Sequence, residues 1–140
     1  MAEKANVLVV ANRTAESPEL LDALRRRATQ GPSEFTLLVP ATPQGVAWAA
    51  DMYAGEAAAE KHRAAFVDEL REEGLPVAEA KVGDPDPLAA VMDECNEHDY
   101  DELIISTLPL HLSKWLRVDF PRKAKAATGL PVTHVVARGK

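Results

Sequence analysis

Ser106 and Thr107 close the run DELIIST, and His111 and Ser113 follow a few positions later. A hydroxyl beside an imidazole is the minimum for nucleophilic acyl or phosphoryl transfer, because the base must take the hydroxyl proton. No acid is spaced to orient His111. A small-molecule hydrolase or transferase built on these hydroxyl and histidine residues is therefore the alternative reading of the chain. The leading expectation is a protein with no catalytic residues. Just downstream, Lys114, Arg117, Arg122 and Lys123 lie in the basic segment LSKWLRVDFPRKAKAATG. Four such cations near a helix start suit a phosphate or carboxylate, held by charge-assisted hydrogen bonds and free backbone N–H groups.

Other chemistries lack their residues. The histidines, His62, His98, His111 and His134, show no H-x-x-x-H spacing and have no cysteine beside them, so no metal site is expected. Cys95 is the only cysteine. It excludes an intrachain disulfide, suits a reducing compartment and reads as a core residue, because no basic group is placed to lower its pKa. The sequence contains no G-x-G-x-x-G, no P-loop and no G-x-S-x-G. Dinucleotide dehydrogenase, P-loop nucleotidase and α/β-hydrolase readings fail together, and no cofactor is expected. A response-regulator receiver needs acids after its first strand, where this chain has Ala11-Asn12.

Charge narrows the partners. The net charge is −6, yet residues 112–140 hold seven lysines and arginines against one acid, and the rest of the chain holds nine against 21. An acidic body repels phosphate at long range, so nucleic acid is an unsuitable partner while a local anion site is not. Apolar runs such as Val7–Ala11 have the length of buried strands, far below the roughly 20 residues of a membrane span. The start MAEKANVLVV runs directly into such a strand and reads as a cytoplasmic protein, with no membrane partner.

Those side chains need a scaffold, and the chain spells one out as a single domain over 1–140. Val7–Ala11, Phe35–Val39, Pro76–Val82, Leu103–Ser106 and Val132–Ala137 read as five strands. Pro76 and the alternating Glu79 and Lys81 mark the third as an edge. Ser17-Pro18-Glu19 starts a helix and Gly31-Pro32 ends it. Arg25, Arg26 and Arg27 are expected to be solvated in its last turns. A long helical stretch follows, with Trp48 and Met52, and Phe66 and Leu70, each four apart, and Gly55 is expected to divide it. GDPDP opens the third helix, whose buried face is predicted to carry Leu88, Val91, Met92 and Cys95. A short last helix ends at Gly129. His134 is expected to be half-buried beside Val132 and Val136.

Strands alternating with helices give an open parallel α/β sheet covered on both faces. Ligands of such sheets bind beyond the carboxyl ends of the strands, where the strand order reverses. The residues in reach are Asn12, Arg13 and Thr14 after the first strand, Ala41 and Thr42 after the second, and Ser106 and Thr107 after the fourth.

The element order, with VGDPDPLAAVMDE before the third helix, DYDELIIST at the fourth strand and the ending PVTHVVARG, resembles the universal stress protein family over nearly the whole chain. The resemblance implies an adenine nucleotide alpha hydrolase-like sheet with order 3-2-1-4-5 and a stress-response or regulatory homodimer formed through the last strand, Val132–Ala137. One subgroup of that family binds ATP through G-x2-G-x9-G-[ST] after the fourth strand. Thr107, Leu110, Phe120 and Pro121 stand at those places here, and Asn12 stands where the family has an acid. Glycine lets backbone N–H groups close on phosphate, and proline has no N–H to offer. The resemblance thus implies a member without ATP binding of the family kind, holding at most a small anionic ligand.

Overall fold

A computed structural model describes residues 4–12, 17–41, 52–109, 115 and 119–137, with 52–55 as backbone only. The strands are β1 (Ala5–Val10), β2 (Ser33–Pro40), β3 (Val77–Gly83), β4 (Glu102–Thr107) and β5 (Val132–Val136). Between them run α1 (Pro18–Thr29), α2 (Met52–Glu72), α3 (Pro87–Glu97) and α4 (Phe120–Thr128). All ladders are parallel, and the order is β3-β2-β1-β4-β5. The expected strands are all present, with ends moved by one or two residues. β5 stops at Val136 and β3 starts after Pro76.

Continuous apolar runs suit β1 and β4 because both strands are buried on both faces. Alternate residues feed two separate cores. On one face Val7, Val9, Phe35, Leu37, Ile104 and Val135 meet Leu20, Leu21 and Leu24 of α1 and Phe66, Val67 and Leu70 of α2. On the other, Leu8, Val10, Leu38, Leu103 and Ile105 meet Ala90 and Val91 of α3 and Phe120 and Ala124 of α4, with Trp115. Trp115 and Phe120 pack edge to face, ring centroids 5.2 Å apart.

Caps fix the helix entries. Ser17 Oγ accepts from Leu20 N–H, Asp86 Oδ1 accepts from Leu88 N–H, and a proline follows each cap. α4 differs. Its N-cap, Asp119, has φ 58° and makes no side-chain cap bond, and Gly129 closes the helix at φ 73°. No described helix is long and apolar enough to cross a membrane.

Three expectations need correction. α2 continues through Gly55. One glycine costs a helix only about 1 kcal/mol, and the burial of Ala59, Phe66 and Leu70 outweighs it. The buried face of α3 is Pro87, Ala90, Val91 and Glu94, with Leu88, Met92 and Cys95 only half-buried at its margin. Burial, and then the Glu94 charge, raises the Cys95 pKa, away from the thiolate that a nucleophile needs. Of the α1 arginines, Arg25 and Arg26 are exposed as expected, in surface pairs with Glu73 (Nε donating at 3.1 Å) and Asp22 (3.2 Å), but Arg27 is partly buried and meets Glu102 at 3.0 Å.

Candidate functional site

The sheet order reverses between β1 and β4, so the crevice forms where these two strands end. Their register runs to Val10 opposite Ile105. Asn12 and Thr107 each lie two residues further on, at one level. Asn12 is 6% exposed, Ser106 1% and Thr107 3%, a buried polar row at the tip of an otherwise apolar pair of strands. Buried polar groups of this kind need hydrogen-bond partners. The Asn12 amide donates to Pro40 C=O at 2.6 Å, so it closes the gap towards β2. Where the resembling family carries an acid, this chain uses a neutral amide as a brace between strand ends. Ser106 lies on the face of Ile104 and Thr107 on that of Ile105, so the two hydroxyls serve opposite sides of the sheet.

Thr107 has a partner that spacing in the sequence did not disclose. Its hydroxyl and His134 Nε2 share a hydrogen bond of 2.8 Å. Ile105 pairs with His134 in the ladder, which puts Thr107 and His134 on one face one step apart. His134 is more exposed than expected, yet packing still lowers its pKa, with burial as the cause. Among the described residues no carboxylate pairs with this imidazole.

Of the cations proposed for an anion, Arg122 and Lys123 are exposed on the first turn of α4. Arg122 Nε meets Asp119 Oδ2 at 2.7 Å, which answers its unfavourable position at the positive end of the helix dipole. Phe120, at a place where the ATP-binding pattern needs glycine, is fully buried against Trp115. Arg13, Thr14, Thr42, Leu110, His111, Ser113, Lys114 and Arg117 lie outside the described residues, as does Trp48.

A second polar cluster lies at the β3 edge. Glu94, 5% exposed on α3, accepts Lys81 Nζ on both carboxylate oxygens at 3.0 Å and the Tyr100 hydroxyl at 2.6 Å. Glu79 adds a contact to Lys81 at 3.1 Å. Donor atoms of Glu79, Glu94 and His98 lie within 4.8 Å of one another, close enough to hold a cation. The Lys81 ammonium already takes that role. Burial opposes its charge, but Glu94 and Glu79 together raise its pKa.

An open parallel sheet of order 3-2-1-4-5, with helices on both faces and a polar row at its switch point, defines a doubly wound α/β protein. No protein-family model matches the sequence, and no curated protein matches it. Solved structures do. A universal stress protein in complex with cAMP aligns with TM-score 0.60 and 20% identity, over 96% of this chain and 98% of the other. An Arabidopsis thaliana universal stress protein family protein with AMP bound gives 0.63 and 14%, over 96% and 93%. The universal stress protein from Archaeoglobus fulgidus in complex with dAMP gives 0.59 and 18%, over 96% and 99%. This chain has the universal stress protein fold.

Proposed function

We propose that the protein is a non-catalytic stress-response or regulatory homodimer that acts in the cytoplasm and holds a small anionic ligand in the β1/β4 crevice. Nucleoside monophosphates are the first class to test, since three solved structures of this fold carry AMP, cAMP or dAMP. The observation that carries the reading is the buried polar row Asn12, Ser106 and Thr107 at the sheet's reversal point, and Phe120 stands in the sequence where the ATP-binding pattern has glycine. A monophosphate needs no cradle for a second and third phosphate. ATP held by glycine backbone does need one, and Pro121 removes a donor there. Lys114, Arg117, Arg122 and Lys123, with Arg13, Thr14 and Thr42, are the proposed outer contacts of the anion. Dimerisation through β5 is part of the same reading: an edge strand left open is an invitation to pairing, and a two-fold axis satisfies both copies at once.

Titration calorimetry with AMP, cAMP and ATP tests the ligand class. AMP or cAMP should bind and weaken on Ser106→Ala, while ATP should bind no better than AMP. Tight ATP binding with AMP silent would overturn the reading.

One observation favours an enzyme instead, the hydrogen bond between Thr107 and His134. A catalytic base needs a third group to hold it, and no described acid stands behind His134. Turnover of phosphate or acyl esters that disappears in Thr107→Val would favour the hydrolase or transferase reading.

A further inference from the structure

β5 ends the sheet, and its ladder with β4 fixes how a second chain can meet it. Leu103 N–H donates to Pro131 C=O at 2.9 Å, and Ala137 N–H donates to Thr107 C=O at 2.8 Å. Leu103 pairs with Val132 and Thr107 with Val136. In a parallel ladder every second residue turns its peptide groups to the neighbouring strand. Pro131, Thr133, Val135 and Ala137 are those residues, so Val132, His134 and Val136 present N–H and C=O groups outward. An antiparallel partner strand that uses all three sets Val132 against the partner's Val136. The two-fold axis then falls on His134.

We propose that the β5 dimer is proton-gated: His134 lies opposite the partner's His134 at the two-fold axis, and protonation of the two imidazoles opens the dimer. This rests on the β5 dimer described under the proposed function. Residues paired in this way have Cα atoms about 5.5 Å apart with side chains on one face, and like charges directly opposite destabilise a sheet.

Among the described residues, little offsets such a charge. On this face β4 offers the Thr107 hydroxyl, and its one acid, Glu102, lies on the other face paired with Arg27 of α1. α4 contributes only exposed cations, Arg122, Lys123 and Lys125, with Arg122 paired to Asp119. On α3, Glu94 is engaged by Lys81 at the opposite edge of the sheet. α1 packs on the other face against Val135, and its arginines already have acidic partners.

Burial already lowers the His134 pKa in the single chain, and strand pairing removes more water from the ring. The dimer therefore binds protons less readily than two separate chains. Its affinity is full above the His134 pKa of the single chain, which burial holds below the ordinary histidine value of about 6.5, and is lost as pH falls through it. A further depression of one unit per imidazole weakens association about tenfold for each ring, about 100-fold for both.

Sedimentation equilibrium of the whole chain across pH 8 to 5.5, at fixed ionic strength and with circular dichroism confirming that the chain stays folded, tests this with wild type, His134→Gln and His134→Thr. The expected result is a dimer whose dissociation constant rises steeply towards pH 5.5 in wild type and stays flat in both variants. An equal slope in the variants, or no slope in a wild-type dimer, overturns the gate while leaving the dimer. A monomer at every pH overturns the gate and the β5 dimer together.

Discussion

Lys81 on edge strand β3 donates to both carboxylate oxygens of Glu94, at 3.0 Å each, and so ties the sheet edge to a buried acid on α3. Removing the cation from a buried pair leaves an uncompensated charge, which costs about 3–5 kcal/mol. Because Lys81 is partly exposed and Tyr100 also serves Glu94, Lys81→Met should lose about 3 kcal/mol, the low end of that range. Glu94→Gln should lose less, since Lys81 can turn to water or to Glu79. Urea unfolding of both variants checks the order, and a Lys81→Met protein as stable as wild type would refute it.

Tyr100 reports on the same cluster. Burial, followed by its hydrogen bond to Glu94, raises the phenol pKa well above the ordinary value. A raised folded-state pKa means stability that is complete below the unfolded value of about 10 and is lost as pH rises beyond it. In Tyr53→Phe protein, which leaves Tyr100 as the one tyrosine of two, phenolate absorbance should rise only together with loss of helical circular dichroism. Phenolate formation in the folded protein near pH 10 would contradict this. Tyr100→Phe should reduce the alkaline loss of stability.

Gly83 ends β3 between Leu38 of β2 and Ala90 of α3. A Cβ built there would lie 2.9 Å from Leu38 Cδ1 and 3.0 Å from Ala90 Cβ. Leu38 is buried, and Ala90 has no rotamer with which to yield. Gly83→Ala should therefore destabilise by about 1–3 kcal/mol, the usual cost of overpacking. Adding Ala90→Gly to it should recover part of that loss, and a neutral Gly83→Ala would show that the helix moves away freely.

The elements were legible where one local signal sufficed. Val7–Val10 reads as a buried strand because nothing polar interrupts it, and Ser17-Pro18 and Asp86-Pro87 mark helix starts through a hydroxyl or carboxylate that a nearby N–H needs. Glu94 was not legible, because an acid on a helix face reads as solvated until Lys81 and Tyr100 arrive from β3 and from the connection to β4. The break expected at Gly55 does not form because tertiary burial along α2 outweighs one weak helix former. At the strand ends, the strand patterns located Asn12, Ser106 and Thr107 at the tips of β1 and β4. What they could not show was use: whether Asn12 faces a ligand or braces β2 depends on Pro40 C=O, and the bond from Thr107 to His134 depends on the register of β4 against β5.

The Asn12 brace gives a further test of the site. Asn12→Asp would place a negative charge in a buried position and lose the donor to Pro40 C=O. An unsatisfied buried acceptor costs about 1–3 kcal/mol, and more when the group that replaces its donor is charged. Thermal unfolding should show Asn12→Asp clearly less stable at pH 8 than at pH 5, where the carboxyl can be neutral and donate. The same stability relative to wild type at both pH values would mean that Asn12 does not brace the strand ends.

Native mass spectrometry of protein purified from cells without added nucleotide tests the central claim most directly, because it reads subunit number and retained ligand together. The account predicts a two-chain species at neutral pH that retains a small anion of the mass of a nucleoside monophosphate or less. A single chain carrying ATP would contradict it.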